Sequence, residues 1–172
     1  SLRHQTAVML AIALDVRPHD CCLVPERRAE ITTEGGLEVA ADLERLGGAC
    51  QRLAQASIRA ALFIDPDEAQ IRAAVAAGAP VVEFHTGRYA EHTGPAQQRE
   101  LERLRQAAKL AAALGLEVHA GHGLTLANVA PVAAIGEIVE LNIGHAIVAE
   151  AIFTGWTTAV AAMKARLLEA RR

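Results

Sequence analysis

The chain has 172 residues, 52% hydrophobic but only 3% aromatic, with a formal net charge of −3. That supports one domain spanning residues 1–172, with a core of Ala, Leu, Val and Ile. The interspersed charges argue against a nucleic-acid face, and the lack of an apolar run of about 18 residues argues against a membrane partner.

Three cysteines, Cys21, Cys22 and Cys50, lie in apolar surroundings and read as buried free thiols of a reducing compartment. The opening "SLRHQT" lacks the basic-then-apolar pattern of a signal peptide, so the expected location is cytoplasmic.

Short apolar runs and helical patterns alternate from residue 20 onward. "DCCLVPE" (20–26) reads as a strand, and the stretch from Leu37 to about Ala56 as a helix with Leu43, Leu46, Cys50 and Leu53 on one stripe. "IRAALFI" (58–64) is the next strand, followed by a helix in which Asp65 is the expected cap, with Pro66 at the first helical position and Gly78 as the stop. "VVEFH" (81–85) follows, then a helix from about Ala96 to Leu114 that stops at Gly115. "LEVHA" (116–120), a short helix near Leu124–Ala134, "EIVELNI" (137–143) and helical residues from Ala146 to about Arg171 complete five strand-then-helix units.

Such alternation implies parallel strands with right-handed crossovers, either in an open doubly wound sheet or in a TIM (β/α)8 barrel. "VVEFH" decides between them. In a barrel strand, Val82 and Phe84 face the helices while Glu83 and His85 face the lumen. An open sheet covered on both faces would press those polar groups against apolar helices. The expected fold is therefore α/β, a (β/α)8 barrel of which about five C-terminal units are present. Five strands cannot close, and an open arc would expose two edges, so the sequence is expected to be part of a longer chain.

The strand-to-helix junctions "TTEGG" (32–36), "AGHGL" (120–124) and "NIGHA" (142–146) combine glycines with the start of a helix, a setting suited to phosphate. Gly121, Gly123, Gly144 and His145 follow the last two strands, where barrels often bind that group. Glu83 reads as a general base, as a stabiliser of developing positive charge, or as half of a buried ion pair with an arginine. His122 has few packing reasons to be histidine and reads as an acid or base. Glu83, His85 and His119 also suit a divalent metal by residue type, although no close-spaced ligand pair supports it. Lys109 and Lys164, the only lysines, fall in helical patterns, which argues against Schiff-base chemistry. Core packing is the expected role of Cys21 and Cys22.

"CCLVPERRAEITTEGGLEV", "LFIDPDEAQI", "VVEFHTGRYA", "VHAGHGLTLANV" and "ELNIGHAIV", in this order, closely resemble the C-terminal two-thirds of the pyridoxine 5′-phosphate synthase family. The resemblance implies a TIM barrel, generally a cytoplasmic homo-octamer. It implies condensation of 3-amino-2-oxopropyl phosphate with 1-deoxy-D-xylulose 5-phosphate to pyridoxine 5′-phosphate, phosphate and water, with no metal or organic cofactor. It further implies His122 as proton donor, Glu83 as transition-state stabiliser, Gly123, Gly144 and His145 as phosphate-binding positions and Thr32 as a substrate contact. Family members begin with strands bearing an Asn-x-Asp-His segment, a catalytic His with an Arg, and a Glu in a "NLEMA"-like motif, none of which occurs here. Another phosphosugar-binding barrel, such as a metal-using epimerase, and an inactive phosphate-binding module are the alternatives.

Overall fold

In a computed structural model, residues 2–25 and 35–172 are described, with the side chains of the first helix from residue 8 onward. The order is α1 (Leu2–Val16), β1 (Asp20–Leu23), α2 (Leu43–Gln55), β2 (Arg59–Ile64), α3 (Glu68–Ala76), β3 (Val81–His85), α4 (Gly87–Glu91), α5 (Gly94–Ala113), β4 (Glu117–Gly121), α6 (Val129–Ala133), β5 (Ile138–Asn142), α7 (His145–Thr154) and α8 (Trp156–Glu169).

All the strand pairs are parallel, and the strands lie in the order β1-β2-β3-β4-β5. A doubly wound sheet reverses its order at a switch point, whereas an unbroken sequential order with right-handed crossovers sends every connection over the same face. The fold is accordingly a partial (β/α)8 barrel. Side-chain alternation follows from that. Leu62, Ile64, Val82, Phe84, Val118 and Ala120 join Leu53, Ile71, Leu104 and Val129 in one core between sheet and helices. Phe63, Glu83, His119 and Glu140 form a row on the other face, each in register with the next. Among the described residues no helix is long and apolar enough to cross a membrane.

Several expectations are corrected. The cap of α3 is Asp67, whose carboxylate accepts from the amides of Ala69 and Gln70; Asp65 lies before Pro66 and faces elsewhere. A 3-10 turn (Val39–Ala41) precedes α2, which delays the helix expected from Leu37. The short α4 lies between β3 and the long helix that follows, where the apolar pattern predicts no element. The C-terminal helix divides at Gly155, whose φ of 84° no helix continues through. Cys50 is buried as expected, but Cys22 is exposed on the lumen side and Cys21 only half-buried, because β1 is the sheet's edge.

Candidate active site

β3 supplies the centre of the site. Its helix-facing side chains anchor it, and the alternation then forces Glu83 and His85 onto the lumen face, where they retain 9% and 6% exposure. Asn142 donates its Nδ2–H to Glu83 Oε2 at 3.0 Å, and the Cys22 thiol donates to the same oxygen at 3.5 Å. Burial pushes the Glu83 carboxyl above its usual range, against the opposing pull of Cys22, His119 and Asn142. Desolvation and the neighbouring Glu83 push the Cys22 thiol up to about 12, although the residue as a whole is exposed. Gly121 is glycine for a packing reason. A Cβ there would lie 2.6 Å from Glu83 Oε1 and 2.7 Å from the Asn142 carbonyl oxygen.

No arginine pairs with Glu83 among the described residues. Arg59 instead bonds Asp20 at 2.7 Å and Glu117 at 3.0 Å, and Glu117 in turn contacts His119 Nε2 at 2.8 Å. His119 Nδ1 also lies 3.4 Å from Glu140, so its ring bridges two carboxylates in a chain of polar contacts that runs from Asp20 to Glu140. Glu83, His85 and His119 therefore have separate partners, and among the described residues no group of three or more His, Cys, Asp or Glu side chains converges to hold a metal ion.

Above this layer, Thr86 clamps the ends of β3 and β4, its amide and hydroxyl donating to the Gly121 carbonyl at 2.8 and 2.7 Å. The chain then turns sharply. His122 has a φ of 83° and Gly123 one of 75°. A non-glycine residue held there costs on the order of 1 kcal/mol or more, so the loop around it must enforce the turn. Asn128 contributes by accepting from the Thr125 amide at 2.7 Å and donating to the Gly123 carbonyl at 3.2 Å. The His122 ring is half-buried, and its proton affinity is lowered by burial first, then by His85 and His145, with Glu91 opposing.

Gly144 and His145 open α7, whose first turn has no side-chain cap, and both are exposed. Its free amides and those of the His122–Gly123 turn both follow the carboxyl ends of their strands, β5 and β4. His122, Gly123, Gly144 and His145 are thereby gathered at one end of the sheet. Glu83 lies deeper, in register with His119, while His85 is level with Gly121. Thr32 lies outside the described residues. An apolar cavity of about 380 Å³ between the 125–127 loop and the α7–α8 pair, lined by Leu126, Ile147, Phe153 and Met163 among others, offers no cationic group for phosphate.

Sequence reasoning missed Asp65. It directly follows β2, with Oδ1 3.4 Å from both His85 Nδ1 and the Gly36 amide. By composition either of the two aspartates that flank Pro66 could cap α3; the observed start of the helix assigns that role to Asp67 and leaves Asp65 to another partner.

A family model described as "Pyridoxal phosphate biosynthesis protein PdxJ" matches residues 3–169. Among solved structures, the chain is similar to a xylose isomerase domain protein from Planctomyces limnophilus, with a TM-score of 0.52 at 14% identity, over 81% of this chain and 63% of that one. At that identity the likeness concerns the fold alone.

Proposed function

Because the chain belongs to the PdxJ family of pyridoxal phosphate biosynthesis proteins, we propose that it carries the phosphate-binding and proton-donating part of a pyridoxine 5′-phosphate synthase, condensing 3-amino-2-oxopropyl phosphate with 1-deoxy-D-xylulose 5-phosphate. The observation that carries this reading is the placement of His122, strained and half-buried, beside two glycine turns at the carboxyl end of the sheet.

The amides of Gly123 and Gly144 and the start of α7 at His145 hold a substrate phosphate, whose charge the helix dipole favours. His122 donates a proton to a departing oxygen; loss of phosphate and water both require such a donor. Glu83 lies beneath, in a site dry enough to raise its own pKa, and there opposes positive charge that develops on the condensing nitrogen. Thr32 completes the substrate contacts, and the partners are small phosphorylated compounds. In the working enzyme the arc is completed by further strands, and the barrels associate as a homo-oligomer in the cytoplasm.

Steady-state assay of pyridoxine 5′-phosphate formation tests the reading. His122→Asn should lower kcat by about 10²-fold or more with a smaller change in KM. Unchanged kcat would remove His122 from the mechanism.

A further inference from the structure

Glu83 sits on the middle strand of the five, yet its Oε2 takes hydrogen bonds from both outer ones, from Asn142 of β5 at 3.0 Å and from Cys22 of β1 at 3.5 Å. The outer strands of a flat sheet would lie roughly 19 Å apart at about 4.8 Å per strand, further than those two side chains and one shared oxygen can span. The curl of the arc brings them together. The bond to Asn142 must also cross β4, which runs between β3 and β5. It does so over Gly121, where a Cβ would lie 2.6 Å from Glu83 Oε1 and 3.2 Å from Asn142 Cβ. With its pKa pushed up to about 12 by burial and by Glu83, the Cys22 thiol keeps its hydrogen at neutral pH and can donate it. The other carboxylate oxygen differs. Oε1 accepts from no described residue, and it is not sealed off, since His85 Nε2 is the one fully enclosed side-chain nitrogen or oxygen without a partner among them. His119, next along the row, does not turn to it, because its two nitrogens face Glu117 and Glu140.

We propose that Asn142 and Cys22 are positioning residues for Glu83, fixing Oε2 from opposite sides of the arc so that Oε1 is the oxygen presented to the substrate. The proposal rests on the reading of Glu83 as the carboxylate that opposes positive charge on the condensing nitrogen, and deepens it. A glutamate side chain has several rotatable bonds, and a carboxylate that swings between rotamers meets a developing charge at a variable distance. Bonds from residues 59 and 61 positions away in the chain remove that freedom before substrate arrives, which is the preorganisation that electrostatic stabilisation requires. Both bonds also favour the ionised form against the effect of burial, so the group retains the charge its role needs. The other charged groups facing Glu83 are His119 and Glu140.

The test joins a substrate-free titration to the enzyme assay. In a carbon-13 carboxyl NMR titration of glutamate-labelled protein, Asn142→Leu, which keeps the volume and loses the donor, should move the Glu83 midpoint to higher pH than in the wild type. The same substitution should lower kcat about 10-fold or more with KM changed less than about twofold, and should add no further loss in a Glu83→Gln protein. Cys22→Ala should lower kcat about threefold, as fits a weak thiol donor, and Cys22→Ser, which restores a hydroxyl donor, should recover most of that loss. An unmoved Glu83 midpoint would overturn the bonds to Oε2 whatever reaction is catalysed. Losses that multiply in the protein carrying both Asn142→Leu and Glu83→Gln would make Asn142 a substrate contact in its own right and overturn its action through Glu83. Unchanged kcat in Glu83→Gln alone would instead be a failure of the reading of Glu83, and would remove the working oxygen with it. Should Asn142→Leu fail to fold, Cys22→Ala, at an exposed position, supplies the same readings at smaller size.

Discussion

Glu83 is held above the usual carboxylate range mainly by burial, and that has a definite sign for stability. Because its folded-state pKa exceeds the unfolded one, the native protein binds the proton more tightly. Stability therefore falls as pH rises from the unfolded value through the raised one, and the full cost is present above it. Glu83→Gln removes the charge and keeps an acceptor for Asn142, so it should raise the melting temperature at pH 8, a gain of about 1 kcal/mol, and make no difference near pH 4. Turnover should fall by about 10²-fold if the carboxylate stabilises the transition state. Thermal melts at the two pH values, set beside the assay, check both statements; equal melting curves at pH 8 would contradict the account of burial. Two-residue alternation made the pairing of Glu83 with His85 legible in the sequence. The contact of Asp65 with His85 was not, because it joins the end of one strand to the end of the next across the lumen face, and depends on how far each strand runs.

Secondary structure was read well wherever one rule dominated and less well where two competed. Five strands and their helices followed from apolar periodicity. At the start of α3, however, Asp65 and Asp67 both satisfy the composition of a cap, and only the position of the first free amides distinguishes them. The difference can be measured. Asp67→Ala should destabilise the protein by about 1 kcal/mol in a denaturant melt and leave kcat unaltered, because Asp67 faces solvent away from His85 and His122. Gly121→Ala should destabilise by about 1–3 kcal/mol, since its methyl would collide with both Glu83 and the Asn142 carbonyl across two neighbouring strands. A Gly121→Ala protein as stable as the wild type would mean that β3, β4 and β5 can spread apart at little cost. The break at Gly155 was hidden because the apolar residues on both sides continue one helical pattern, and only the backbone turn interrupts it.

Over the whole molecule, the parallel order was legible from the strand–helix alternation, whereas the exposure of its flanks depends on which neighbours each element has. On one flank α1 exposes Val8, Met9 and Ile12; on the other, β5 exposes Val139 and α7 exposes Ile152 and Phe153, followed by Trp156 of α8. Apolar surface of that kind marks a contact surface, and the chain should associate as its concentration rises, which sedimentation velocity would detect. Amide hydrogen exchange should be slowest in β2, β3 and β4, which have a strand on either side, and faster in β1 and β5, which have one among the described residues. Equal protection across the five strands would mean that both edges are covered in solution. The sequential strand order also bears on how the molecule is made. Each pairing closes a loop of only about one strand–helix unit, so the entropy lost at each step is small and no strand has to wait for a distant partner. A chain so ordered can dock each strand on the one translated just before it, with β2 and β3 joined before β5 has left the ribosome.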